Sequence, residues 1–190
     1  MTKADPSINA GTAPDQVLLD IADYVLNYKV ADERSYDTAR LCVTDSLACA
    51  FDALDIPGCV NLLGPLVPGT VVPNGARVPG TRYELDPATA AFNFGAMIRW
   101  SDLNDSFTAA CGGHPSDNLG GILMLADHLS RRRVATPGPA LLMRDVLEAL
   151  TKAYEIQGCI SIENDFFHKG SDHNLLVRVA TTAVLTRMLG

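Results

Sequence analysis

The stretch RWSDLNDSFTAACGGHPSDNLGG, residues 99–121, concentrates the groups of this sequence that can do chemistry. It holds two carboxylates, Asp102 and Asp105, a histidine, His114, and a Ser116-Asp117-Asn118 segment followed by Gly120 and Gly121. Histidine titrates near neutrality, which suits general acid or base work. Pro115 restricts His114 to an extended backbone, so its ring is aimed from a fixed frame. His173 is a second candidate of the same kind, at the start of the last helical pattern. Either histidine can equally be a structural hydrogen-bond partner. Asp102 and Asp105 could orient a histidine or simply close a turn. The stretch lacks the tight His/Asp cluster of a metal site, so no metal is expected.

Ser116 has the chemistry of a helix N-cap, and the unpaired N–H groups of a helix start attract carboxylates. Ser116 and Asn118 are therefore candidate substrate-binding residues. Gly120 and Gly121 remove side chains, so that a ligand or a second helix can approach closely. Asp117 at the same end would repel an anion unless it turned outward, and the alternative is that the segment caps a helix and the glycines ease packing.

Helical patterns flank this stretch on both sides. Asp86-Pro87 pairs an N-cap with a proline at the first helical position, and Ala90, Ala91, Phe94, Ala96, Met97 and Ile98 follow. So many small residues predict a buried central helix that delivers Asp102 from its C-terminal end. After the loop, a helix capped by Ser116 carries Leu119, Ile122, Leu123, Ala126 and Leu129 and closes on Arg131–Arg133, where cations suit the negative end of the dipole. Earlier in the chain, Val17, Leu18, Ile21, Val25 and Tyr28 keep a helical period from Pro14 onward. A second helix spans about Asp32 to Leu54, with Leu41, Ala48 and the pair Cys42 and Cys49, seven apart and so on one face, the two cysteines being expected to be buried. Two more helices are expected at Ala140–Gln157 and Asp172–Leu189. Residues 57–87 are punctuated by prolines at 57, 65, 68, 73, 79 and 87 and glycines at 58, 64, 69, 75 and 80, which predicts an extended loop. Short pairing near Thr70–Val72 is left open there. The fold class read from this pattern is all-α with one long Pro/Gly-rich loop.

A chain of 190 residues with 47% hydrophobic residues is long enough for one domain with a sizeable core. Residues 1–13 read as a disordered lead-in and 14–190 as the folded unit. A net charge of −7, with only 15 Lys and Arg spread along the chain, argues against a nucleic-acid partner. No run reaches the length of a membrane span. The N-terminal residues lack an apolar signal core, so the expected compartment is the cytoplasm. Five cysteines without a C-x-x-C pair fit neither a disulfide framework nor a zinc knuckle.

The segments RWSDLNDSF and GGHPSDNLGGILMLADHLSR resemble the MmgE/PrpD family, and the resemblance extends through DQVLLDIADYVLNY, the VPGTVVPNG loop, KAYEIQGCISIEN and DHNLLVRVATTAVLTRMLG. It implies part of a mostly helical N-terminal domain, without the α+β lid domain of the family, usually in a homodimer. It also implies a hydro-lyase that works without a cofactor on a small tricarboxylate, by dehydration of 2-methylcitrate. Another lyase of the family, such as a cis-aconitate decarboxylase, is the alternative, and a truncated helical module without catalysis is a reading of a different class. By this resemblance the active-site positions are Asp102, His114 and His173, which are expected to meet in one cleft. Phe107 stands where the family usually has tryptophan, Cys111-Gly112 where it has Glu-Trp, and His168-Lys169 where it has arginine and an apolar residue. Lys169 is the only nearby cation expected from the sequence, so little turnover is expected of these residues alone.

Overall fold

The computed structural model describes residues 13–135 and 141–190. Seven α-helices and one two-stranded hairpin make up the regular structure among them. The helices are α1 (Gln16–Asn27), α2 (Glu33–Asp52), α3 (Pro57–Val60), α4 (Pro87–Arg99), α5 (Leu119–Ala135), α6 (Met143–Glu163) and α7 (Asn174–Leu189). The fold is all-α in class. Residues 1–12 of the expected lead-in lie outside the described residues, as does Ala140. No helix among the described residues is long and apolar enough to cross a membrane.

At the centre lies α4. Asp86 accepts hydrogen bonds from the N–H groups of Ala88 and Thr89, and Pro87 occupies the first turn, so the helix starts where the sequence places it. Ala90, Phe94, Met97 and Ile98 are fully enclosed between α2 and α5. The small residues serve a close helix crossing: a Cβ on Gly120 of α5 would stand 2.9 Å from the Ala91 carbonyl oxygen of α4. Buried Asn93 ties this helix to the Pro/Gly-rich segment by accepting from the N–H of Gly64 and donating to its carbonyl.

That segment contains α3 and a short antiparallel hairpin of β1 (Ala76–Arg77) and β2 (Glu84–Leu85), with Ala76 opposite Leu85. Val72 adds one N–H bond to the Glu84 carbonyl, so the Thr70–Val72 stretch joins the pairing only at its last residue and the strands themselves lie beyond it. The arginine run does more than end a helix. Arg131 donates to the Gly75 carbonyl and pairs with Glu84 at 2.8 Å, while Asp127 of α5 takes the Arg77 N–H and guanidinium, and together these fasten the hairpin onto α5.

Three expectations are corrected. In α2 the buried face is Tyr36, Ala39, Val43, Ser46 and Ala50, spaced three and four apart; Cys42 and Cys49 sit half-buried on its flank and Leu41 is exposed. The seven-residue spacing of the cysteines identified a shared side of the helix, but the neighbouring stripe carries the small residues that α4 and α6 pack against. α6 begins at Met143, where Asp145 accepts from the Leu142 N–H, and runs six residues past Gln157 to Glu163, because Gly158 lies inside the helix facing the Phe107 ring. Ser116 does not cap α5. A 3-10 turn, Pro115–Asn118, precedes that helix, and Ser116 is buried within it.

Candidate active site

The site lies where the C-terminal end of α4, the 3-10 turn before α5 and the start of α7 meet. Asp102 follows α4 in the left-handed region at φ 54°, a conformation that aspartate tolerates better than most residues. This turn brings its carboxylate back to Arg99, which donates to it at 2.7 Å. His114 reaches the same carboxylate, with Nε2 3.7 Å from Asp102 Oδ1. Its other nitrogen, Nδ1, is 2.7 Å from the Asp105 carbonyl oxygen. A carbonyl only accepts, so Nδ1 carries a proton and Nε2 is the nitrogen that gains or loses one.

His173 stands at the N-cap of α7, its ring 5.7 Å from that of His114, centroid to centroid. Its Nδ1 lies 2.5 Å from Asp172 Oδ1 and its Nε2 3.5 Å from Asp117 Oδ2. Gly113 makes the approach possible, since a Cβ there would fall 2.9 Å from three atoms of the His173 side chain. Gly113 itself is held by reciprocal backbone bonds with Phe107, at 2.8 and 3.1 Å. Asp102, His114 and His173, 71 residues from first to last, thus meet in one cluster. Burial deepens across it: the Asp102 side chain is 69% exposed, His114 21%, His173 14% and Asp117 12%.

Two groups of this cluster, Arg99 and Asp117, have no catalytic role in the reading of the sequence. Arg99 contacts Asp102, donates to Asn104 Oδ1 at 2.9 Å and stands 3.4 Å from Asp117 Oδ1. It is the cation of the site; Lys169, expected in that role, is exposed on a turn at Phe167–Lys169. Asp117 lies between Arg99 and His173, and its Oδ1 is buried without a hydrogen-bonding donor, Arg99 being within ion-pair reach only. Burial pushes its carboxyl above the usual carboxylate range, against the opposing pull of Arg99, His173 and His114. A signal for both was present. Arg99 ends an apolar helix three residues before an aspartate, and Asp117 is an acid just before a run of apolar helix.

Ser116 and Asn118 are tied into the interior next to these residues. Both are fully buried. Ser116 Oγ accepts from Asn104 Nδ2 at 2.7 Å, and its backbone N–H goes to Asp105 Oδ1 at 3.0 Å. Asn118 donates to the Pro115 carbonyl and to Gln157, and accepts from the Thr181 hydroxyl at 2.6 Å. At this turn the Ser116 N–H is already taken by a carboxylate of the chain, that of Asp105.

The sequence profile of the MmgE/PrpD N-terminal domain matches residues 19–190, and the chain belongs to the MmgE/PrpD family. Within it the chain is similar to the 2-methylcitrate dehydratase of Cupriavidus necator, 59% identical over 177 residues, and to that of Escherichia coli K12, 59% identical over 176. These matches cover 93% of this chain and 37% and 36% of the two relatives. A fungal alkylcitrate dehydratase is 44% identical over 181 residues, with 93% of this chain and 36% of the relative covered. The chain therefore spans little more than a third of the length of these curated relatives.

Proposed function

We propose that Asp102, His114 and His173 are acid/base and carboxylate-binding residues in the dehydration of 2-methylcitrate to 2-methyl-cis-aconitate. The observation that carries this reading is the meeting of two half-buried histidines beside Asp102, in a chain 59% identical to enzymes named for that reaction. In the elimination a C–H bond beside a carboxylate breaks and its proton passes to a base. The C–O bond breaks at the neighbouring carbon, an alkene forms, and the departing hydroxyl takes a proton to leave as water. His114 suits the first transfer, because its Nδ1–H is committed to Asp105 and its Nε2 is left to accept, with Asp102 beside it to stabilise the imidazolium. Arg99 supplies hydrogen-bond donors where a substrate carboxylate gathers charge, and His173, whose ring nitrogens face Asp172 and Asp117, is the second acid/base group.

The same reading takes the protein as a cytoplasmic homodimer with no nucleic-acid partner. Apolar residues left at the surface of α1, Leu18 and Leu26 among them, support self-association, and the net charge of −7 is unfavourable for a polyanion.

The test is a chimera in which the 176 matched residues of the Escherichia coli relative are replaced by those of this chain. Its activity is followed by ultraviolet absorbance of the conjugated alkene. The chimera is expected to dehydrate 2-methylcitrate, and His114→Ala within it to lower the rate by about 10²–10⁴. A folded chimera without activity, or one indifferent to the loss of His114, would overturn the proposal.

A further inference from the structure

We propose that Asp117 is the positioning residue for His173, holding the ring at its Nε2 edge while Arg99 links it to the Asp102–His114 pair. The inference rests on the reading of His173 as part of the dehydration site and goes beyond it, since it concerns a carboxylate not assigned there. Five side chains form an unbroken charged chain. His114 Nε2 lies 3.7 Å from Asp102; Asp102 accepts from Arg99 at 2.7 Å; Arg99 Nε lies 3.4 Å from Asp117 Oδ1; and Asp117 Oδ2 lies 3.5 Å from His173 Nε2. One guanidinium thus serves two His–Asp pairs.

Enclosing a carboxylate is costly unless its partners repay the lost hydration. Asp117 nevertheless keeps one oxygen without a hydrogen-bond donor and directs the other at His173. A carboxylate present only to neutralise Arg99 could do so through Asp102, which already accepts from that guanidinium and is largely exposed. The distinct contribution of Asp117 is its contact with Nε2. With Asp172 at Nδ1, this contact places an acceptor on each ring nitrogen and fixes the rotation of the imidazole. The groups facing His173 are then Asp172 on its own approach to α7, Asp117 from the turn before α5, the His114 ring, and the Phe167 ring at 6.4 Å. Asp117 in turn faces Arg99, His173 and His114.

The experiment is a proton NMR titration of the imidazole C2–H signals of this chain, which has four histidines. His128, bonded to the Asn74 carbonyl beside the hairpin, is the internal reference. Asp117→Asn removes an opposite charge close to the ring and is expected to lower the His173 midpoint by about one pH unit. His114 should move less and His128 not at all. Asp117→Glu should retain most of the wild-type behaviour. A His173 midpoint that stays in place, or moves no further than that of His114, would mean that Asp117 serves Arg99 alone and the proposal is wrong. The wild-type chain provides a readout independent of any variant: the His173 signal should show a second, acid-side inflection as Asp117 titrates, and a single-step curve rejects the contact. Neither measurement requires turnover, so failure here is separable from failure of the dehydratase reading.

Discussion

Replacing Gly113 by alanine tests whether the two histidines meet by steric permission. No left-handed backbone angle is required of Gly113, so alanine is conformationally allowed and the added methyl acts through space alone. It would stand 2.9 Å from Cβ, Cγ and Cδ2 of His173, well inside van der Waals contact. The backbone cannot readily retreat, because Gly113 exchanges both its N–H and its carbonyl with Phe107. His173 is confined as well, by Asp172, Asp117 and the start of α7. Overpacking of one methyl costs about 1–3 kcal/mol, and the stiffer unfolded chain returns about 0.4–1 kcal/mol. A net loss of roughly 1–2 kcal/mol corresponds to a fall in Tm of about 2–8 °C for a chain of this size. Thermal unfolding by circular dichroism measures the fall, and the His173 C2–H signal should shift with it. An unchanged Tm together with an unchanged His173 signal would show that the contact is relieved without cost, and would remove the steric account of this glycine.

Two further outcomes follow from the same geometry. Asn118→Ala leaves Gln157 and the Thr181 hydroxyl without their shared partner in the interior and should cost about 2–4 kcal/mol in urea unfolding; a loss below about 1 kcal/mol would mean that Asn118 is not the support described. Asp117 holds its proton to higher pH in the folded chain than in the unfolded one, because burial raises its carboxyl. Its contribution to stability is therefore fully present below the ordinary carboxylate range and is lost as pH rises through the folded value. Asp117→Asn, uncharged throughout, should match the wild type near pH 4 and exceed it in stability near pH 7. A variant less stable than wild type at pH 7 would contradict that sign.

Much of the fold was legible because it is locally encoded. Asp86-Pro87 names the start of α4 through its own hydrogen bonds and fixed φ, and the apolar spacing of α5 and α7 describes helices whatever they pack against. Periodicity failed where the buried stripe depends on neighbours. In α2 the side that meets α4 and α6 carries Ala39, Val43 and Ala50 rather than the cysteines, a choice made by the helices that arrive there. The same division runs through the site. Residue types and the family resemblance pointed to Asp102, His114 and His173, since histidine beside a proline and aspartate after a helix are visible without any contact.

The positions of Arg99 and Asp117 could not be read in this way. By residue type alone Arg99 is one cation beside a helix end and Asp117 one member of a capping segment. Their meeting requires the left-handed turn at Asp102, the 3-10 turn that rotates Asp117 inward, and the gap at Gly113 through which His173 descends from a helix far along the chain. The sequence by itself determined the helical class, the candidate acids and bases and the places where chains bend. Only the tertiary structure decided which charges face one another, because an electrostatic contact depends on separation in space and on the water that packing removes, and neither has a period along the chain.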